Sequence, residues 1–268
     1  MLAGDYRSSE HGDGVELAQL RPYEPGDDVR LLEWNVTART GVPHVRVNLA
    51  ERALVTWLLL DTSSSMQFGT ADRRKADVAD GVALAIAHVA TRRGNRLGVA
   101  TFGGGERREL PPHQGRVGLV GLLSVLQQEP PPEGGGPTSL GHGMLRVASL
   151  ARQRGVVVVV SDFRGPLDWR RPLLQLLGRH QVLAVEIRDP REQELPNIGE
   201  VWLMDPETGR QVRVDTRSRE LRSRFAAAAA EERTGVARVL SALAVPHVVL
   251  STEGDWLRRL AAFLEARR

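Results

Sequence analysis

Cysteine is missing from all 268 residues, which excludes disulfides and thiolate metal sites outright. The absence fits a reducing compartment. Lysine is nearly missing as well: Lys75 is the sole one among the 36 Lys and Arg residues. No apolar run approaches the roughly 20 residues that a membrane helix needs. The opening MLAGDYRSSEHGDG lacks the apolar centre of a secretory signal. Together these gaps lead to the expectation of a cytoplasmic chain with no membrane span.

What is present is ordinary for a globular protein. Hydrophobic residues make up 41% and charged residues 26%, enough for one good core or for one domain with an appendage. A formal net charge of only +3 stands beside a sequence pI of about 10.1. The two agree because arginine does not titrate below about pH 12, so the pI overstates the basicity. The arginines are mixed with acidic neighbours, as in RSRELRSR (217–224), rather than gathered in one block. Solvated arginine-rich helix faces are the simpler reading, and no nucleic-acid partner is expected; a salt titration with DNA or RNA separates the two.

Residues 1–52 read as a turn-rich lead-in, with RPYEPGDDVR as a turn and HVRVNL (44–49) as an alternating strand. From residue 53 the pattern becomes regular. Apolar runs predict strands at 53–60, 96–102, 156–160, 181–187 and 247–250. Helical periods fall at 76–93, 115–128, 139–154 (stopping at Gly155), 167–180, 218–244 and 255–268. Residues 201–214 suggest a hairpin turning at Glu207, Thr208 and Gly209. EPPPEGGGP (129–137) predicts a mobile or specially shaped loop. The expected division is a lead-in of residues 1–52 and a main domain of residues 53–268. Alternating strands and helices predict an α/β fold, a doubly wound, mostly parallel sheet with helices on both faces.

In such sheets ligands sit beyond the carboxyl ends of the strands, where the strand order reverses. LVTWLLLDTSSSMQFG (54–69) is therefore the informative stretch. An aliphatic run stops at Asp61, and Ser63 and Ser65 follow in a D-x-S-x-S pattern. A carboxylate and two hydroxyls converging on one point make an oxygen-only site suited to Mg²⁺ or Mn²⁺. Serine hydroxyls add no charge, so such an ion keeps an open position that favours one more anionic oxygen. Asp and Ser behind a strand are also ordinary caps and turn formers, and the pattern alone leaves both readings open. Two further candidates stand at other strand ends or loops: Thr138, after a glycine-rich loop, and Asp162, after VVVVVS (156–161). The seven histidines show no metal spacing.

LLLDTSSSM, PTSL and VVVVVSDF, in that order and spacing, resemble the three loops of the von Willebrand factor A domain and its metal-ion-dependent adhesion site. The resemblance covers residues 53–268. It implies that Asp61, Ser63 and Ser65 ligate the ion from the first loop, Thr138 from the second and Asp162 from the third, directly or through water. It also implies a protein partner that supplies an Asp or Glu. The segment ELAQLRPYEPGDDVRLLEWNVTARTGVPHVR (16–46) resembles the signature of the bacterial family called domain of unknown function fifty-eight. That resemblance implies partnership with a MoxR-type AAA+ ATPase in a chaperone-like assembly. In this segment Arg21, Asp27, Asp28, Arg30, Trp34 and Arg39 are candidate partner or interdomain contacts. The plainer reading is that Arg30, Arg39 and the aspartates form local salt bridges while Trp34 packs on the main domain.

The expected function is therefore a non-enzymatic, cation-dependent binding module. The alternative is a Mg²⁺-dependent phosphoryl-transfer enzyme using Asp61. Phosphatases of the haloacid-dehalogenase type want a second aspartate where Ser63 stands. Receiver domains want a lysine at a late strand end, whereas Lys75 lies just ahead of the first helix of the main domain. No GxSxG elbow, P-loop or HExxH is present.

Overall fold

A run of valines sets the centre of the sheet. In the strand Gly155–Ser161 every residue from Val156 onward is buried, as expected of a strand covered on both faces. The computed structural model describes residues 17–48, 53–103, 107–127, 139–205 and 208–267. Thr138, Glu207 and the 129–137 loop lie outside the described residues. The chain divides into two compact units, one covering residues 4–54 and the other running from Val55 to Arg268.

In the first unit, β1 (Leu17–Pro22) pairs antiparallel with β2 (His44–Asn48), and α1 (Trp34–Thr40) lies between them in sequence. The turn after β1 is held by Arg21, which donates to both oxygens of Asp27 at 2.7 and 2.6 Å. Asp27 also accepts from the Glu24 amide at 2.8 Å. Asp28 caps the next turn by accepting from the Arg30 amide at 2.9 Å. Of the aspartates expected in local salt bridges, Asp27 makes one, with Arg21. Among the described residues the ion pairs of this unit are Arg21–Asp27 and Arg46–Glu33.

The second unit carries a six-stranded sheet in the order β10-β7-β6-β3-β4-β5. Its strands are β3 (Val55–Asp61), β4 (Arg96–Phe102), β5 (Glu109–Gln114), β6 (Gly155–Ser161), β7 (Gln181–Arg188) and β10 (His247–Ser251). All pairs are parallel except β4–β5. The expected α/β, doubly wound sheet is what the chain adopts. Helices α2 (Lys75–Ala90), α3 (Gly115–Leu126) and α7 (Trp256–Glu265) cover one face; α4 (Leu140–Leu150), α5 (Arg170–Leu177) and α6 (Arg219–Ala242) cover the other. Alternation along each strand feeds both layers. Trp57, Leu59, Val157, Val159 and Ala184 pack under α4, α5 and α6 with Met144, Leu173 and Leu240. The intervening Leu58, Leu60 and Val158, also fully or nearly fully buried, point to the opposite face. The hairpin of β8 (Glu200–Met204) and β9 (Gln211–Asp215) forms its own two-stranded sheet.

Two departures from the sequence reading have physical causes. Strand β5, ELPPHQ, was not expected because two prolines remove its donors; it lies at the sheet edge, and its pairing with β4 shifts register where Pro111 and Pro112 fall. Gly155 does not stop a helix. Helix α4 ends at Leu150, and Gly155 opens β6, where an added Cβ would stand 2.1 Å from the Val55 carbonyl oxygen. The glycine serves a close approach of two backbones.

Candidate functional site

The order of strands reverses beside β3, whose sequence neighbour β4 lies on one side and β6 on the other. The carboxyl ends of β3 and β6 therefore open a crevice, and each delivers an aspartate to it. Asp61 is the last residue of β3 and Asp162 immediately follows β6. Both are buried, at 6% exposure each.

The chain behind β3 turns at once into a single 3-10 turn, Ser64–Gln67, with Ser63 at its start. This turn brings alternate side chains to one side. Asp61 Oδ1 accepts from the Ser63 amide at 3.0 Å, and the Ser63 and Ser65 hydroxyls lie 3.0 Å apart. Ser65 donates to Asp162 Oδ2 at 2.9 Å across 97 residues of sequence. Four of the five residues expected at the site, Asp61, Ser63, Ser65 and Asp162, are thus brought together. Thr138 lies outside the described residues; its neighbour Ser139 caps α4 and donates to Asp168 at 2.5 Å.

Asp162 is held from behind by an unusual backbone. Phe163 has a positive φ of 54°, a region that costs a bulky side chain on the order of 1 kcal/mol or more. Burial of its ring edge-on to Trp169, with centroids 5.7 Å apart, holds it there. So does Ser161, whose hydroxyl accepts from the Phe163 amide at 2.9 Å and donates to Asp61 Oδ2 at 2.6 Å. Ser161 therefore ties Asp61 to the backbone turn that carries Asp162.

The sequence reading missed a second layer. Lys75, the first residue of α2, is fully buried and donates to Asp162 Oδ2 at 2.7 Å and to Glu192 Oε1 at 2.6 Å. A helix that follows a strand in a parallel sheet begins at the strand's carboxyl end, so a lysine at its first position reaches the rim. Its being the only lysine was the available signal. Glu192 also accepts from Arg164 at 3.0 Å, and its other oxygen caps the turn Pro190–Glu192 by accepting from the Asp189 amide at 3.2 Å. Asp189, wholly buried, closes the rim. It accepts from the Thr70 amide at 2.8 Å, from the Thr70 hydroxyl at 2.6 Å and from the Thr252 hydroxyl at 2.7 Å, joining the loops behind β3, β7 and β10.

The electrostatics of the two aspartates differ sharply. Burial first, and then the negative charge of Asp162, push the Asp61 carboxyl up to about 7. Burial pushes Asp162 the same way, but the Lys75 ammonium overrides it and holds Asp162 below the usual carboxylate range. Lys75 likewise stays protonated: burial works against its charge, and Asp162 and Glu192 more than offset that.

The donors are all oxygens, the kind that a hard divalent cation takes. Oxygens in an octahedron around Mg²⁺ at roughly 2.0–2.1 Å stand about 2.9 Å apart along each edge. The Ser63–Ser65 and Ser65–Asp162 separations, 3.0 and 2.9 Å, are hydrogen-bond distances of about the same length as that edge. Asp61, buried beside a like charge, is a carboxylate that a cation would relieve. Among the described residues no group of three or more His, Cys, Asp or Glu is placed to hold a metal. The candidate donors here are two carboxylates and hydroxyls.

The sequence model of the family described as "Protein of unknown function DUF58" matches residues 19–235. The chain belongs to this family. A relative of this DUF58 protein, Rv1480 of Mycobacterium tuberculosis, is 40% identical over 270 residues, covering 100% of this chain and 84% of the relative. Among solved structures, this DUF58 protein is similar to the conserved hypothetical protein BatB from Bacteroides thetaiotaomicron, with a TM-score of 0.49 and 14% identity over 80% of this chain and 98% of that one. It is also similar to a von Willebrand factor type A protein from Catenulispora acidiphila, with a TM-score of 0.41 and 14% identity over 52% of this chain and 34% of that one. Likenesses of this size bear on neither ligand nor partner. Among the described residues no helix is long and apolar enough to cross a membrane.

Proposed function

We propose that this DUF58 protein is a non-enzymatic protein–protein interaction module. In this reading its rim site binds Mg²⁺ or Mn²⁺ and captures an Asp or Glu carboxylate of a partner protein. The observation that carries the reading is the meeting of the oxygen-bearing side chains of Asp61, Ser63, Ser65 and Asp162 at the strand-order reversal. Asp61, Ser63 and Ser65 would hold the ion from one loop and Asp162 from another. The ion would supply an open position for an anionic oxygen. Hydroxyl ligands leave it much of its charge, which favours a carboxylate over a neutral group. The family resemblance suggests a MoxR-type AAA+ ATPase as the assembly in which such an adaptor works.

The test is a calorimetric titration with Mn²⁺. Wild type is expected to show one saturable binding event and Asp61→Ala none. Equal heats from the two proteins would end the metal reading. A second reading, Mg²⁺-dependent phosphoryl transfer using Asp61, draws on the buried Lys75 ammonium beside the aspartates. In its disfavour, both carboxylate partners already engage that ammonium, and Ser63 stands where a proton-donating aspartate is wanted.

A further inference from the structure

Lys75 is a permanent positive charge inside the site proposed for a cation, and nothing in the D-x-S-x-S pattern requires it. Its ammonium lies 2.7 Å from Asp162 Oδ2, the same oxygen that faces the Ser65 hydroxyl at 2.9 Å. A divalent ion coordinated by Asp162 Oδ2 would therefore meet a like charge within a few ångströms, behind the same oxygen. Buried charges this close interact strongly, because little solvent screens them. Lys75 has a second partner to fall back on: Glu192 Oε1 at 2.6 Å, itself fixed by Arg164 and by the turn Pro190–Glu192.

We infer that Lys75 is a built-in counter-cation that competes with the divalent ion for Asp162, and that Glu192 sets how readily it yields. In the ion-free protein Lys75 compensates the buried Asp162 and keeps the third loop in register with the first. When an ion enters, Lys75 withdraws its claim on Oδ2 and leans on Glu192. The site is thereby tuned to weak, reversible ion binding, so that full occupancy depends on the extra anionic oxygen a partner brings. Lys75 is a positioning residue, because its contact is with Asp162 and not with the ion. The inference rests on the cation-binding reading above.

The experiment measures free Mn²⁺ by electron paramagnetic resonance during titration of wild type, Lys75→Met, Glu192→Gln and Asp61→Ala, with folding checked by circular dichroism. Methionine keeps the length of the buried side chain and removes its charge. Lys75→Met is expected to bind Mn²⁺ at least tenfold more tightly than wild type. Glu192→Gln, which leaves Lys75 only Asp162 as a charged partner, is expected to bind at least threefold more weakly. Binding by Lys75→Met alone, with none by wild type, also supports the inference. Equal or weaker binding by folded Lys75→Met overturns it, while loss of binding in Asp61→Ala keeps the metal reading standing. No binding by wild type or folded Lys75→Met up to about 10 mM Mn²⁺, roughly tenfold above the weakest ordinary divalent sites, ends both. Should Lys75→Met fail to fold, Glu192→Gln decides, and an affinity equal to wild type overturns the inference.

Discussion

Asp80 shows how a single side chain in α2 is tuned by its surroundings. Burial, and then the negative charge of Asp77 one turn away, raise its carboxyl to about 6, with Arg74 pulling the other way. The folded state thus holds its proton at a pH where the unfolded chain has released it. Below the unfolded value near 3.8 this group costs nothing. As pH rises through the interval from about 4 to about 6, the folded state loses stability, and the loss is complete above it. Asn at this position carries no charge at any pH. We expect Asp80→Asn to match wild type at pH 4 and to exceed it at pH 8 by on the order of 1–2 kcal/mol, after allowance for partial exposure. Thermal unfolding at a series of pH values checks this, and parallel curves for the two proteins would contradict it. Asp162, on another strand end, shows the opposite balance: burial raises it too, but the Lys75 ammonium bonded to it outweighs that.

Strand pairing at the centre of the sheet depends on one missing side chain. Gly155 faces Val55 in the parallel β3–β6 ladder, and a Cβ there would lie 2.1 Å from the Val55 carbonyl oxygen. Backbone cannot swing aside as a flexible side chain can. Gly155→Ala must therefore push β6 away from β3 at the end opposite the functional rim. We expect a loss on the order of 3 kcal/mol and a fall in Tm of about 6–12 °C, with the rim residues still folded in the surviving protein. Calorimetric melting tests this; an unchanged Tm would mean that the two strands are free to part here. The same element scale explains what periodicity could not find. Strand β5 has prolines where a ladder wants donors and is legal only at an edge. Helix α1 is a short segment closed by Gly41 in the left-handed region, too brief to carry a readable period.

At the scale of the molecule, the parallel sheet decides where function can be. It gathers the loops behind β3, β6, β7 and β10 on one rim, and Asp189 bonds the loops from three of those strands together. Those three loops are thus linked to one another by hydrogen bonds. A binding module built on this rim should capture its partner only while the ion is present. Pull-down with this DUF58 protein is expected to recover a set of proteins in Mg²⁺ that is lost in EDTA and lost with Asp61→Ala. The same preparation is expected to turn over neither ATP nor a phosphate monoester. Identical sets with and without chelator would indicate an interface independent of the metal, and turnover that vanishes in Asp61→Ala would favour phosphoryl transfer.

The sequence by itself determined the alternation of strands and helices, the apolar centre of the sheet, and the positions of Asp61, Ser63, Ser65 and Asp162 at strand ends. Local pattern encodes these, since strand and helix periods and strand-terminal polar residues are short-range features. Tertiary structure alone decided which strand ends become neighbours, and so that Ser65 meets Asp162 across 97 residues. It also decided that Lys75 and Glu192, 117 residues apart, share one ion pair beside that contact. No window along the chain contains both partners of such a pair. Only the strand order, with β6 rather than β5 beside β3, brings them to the same rim.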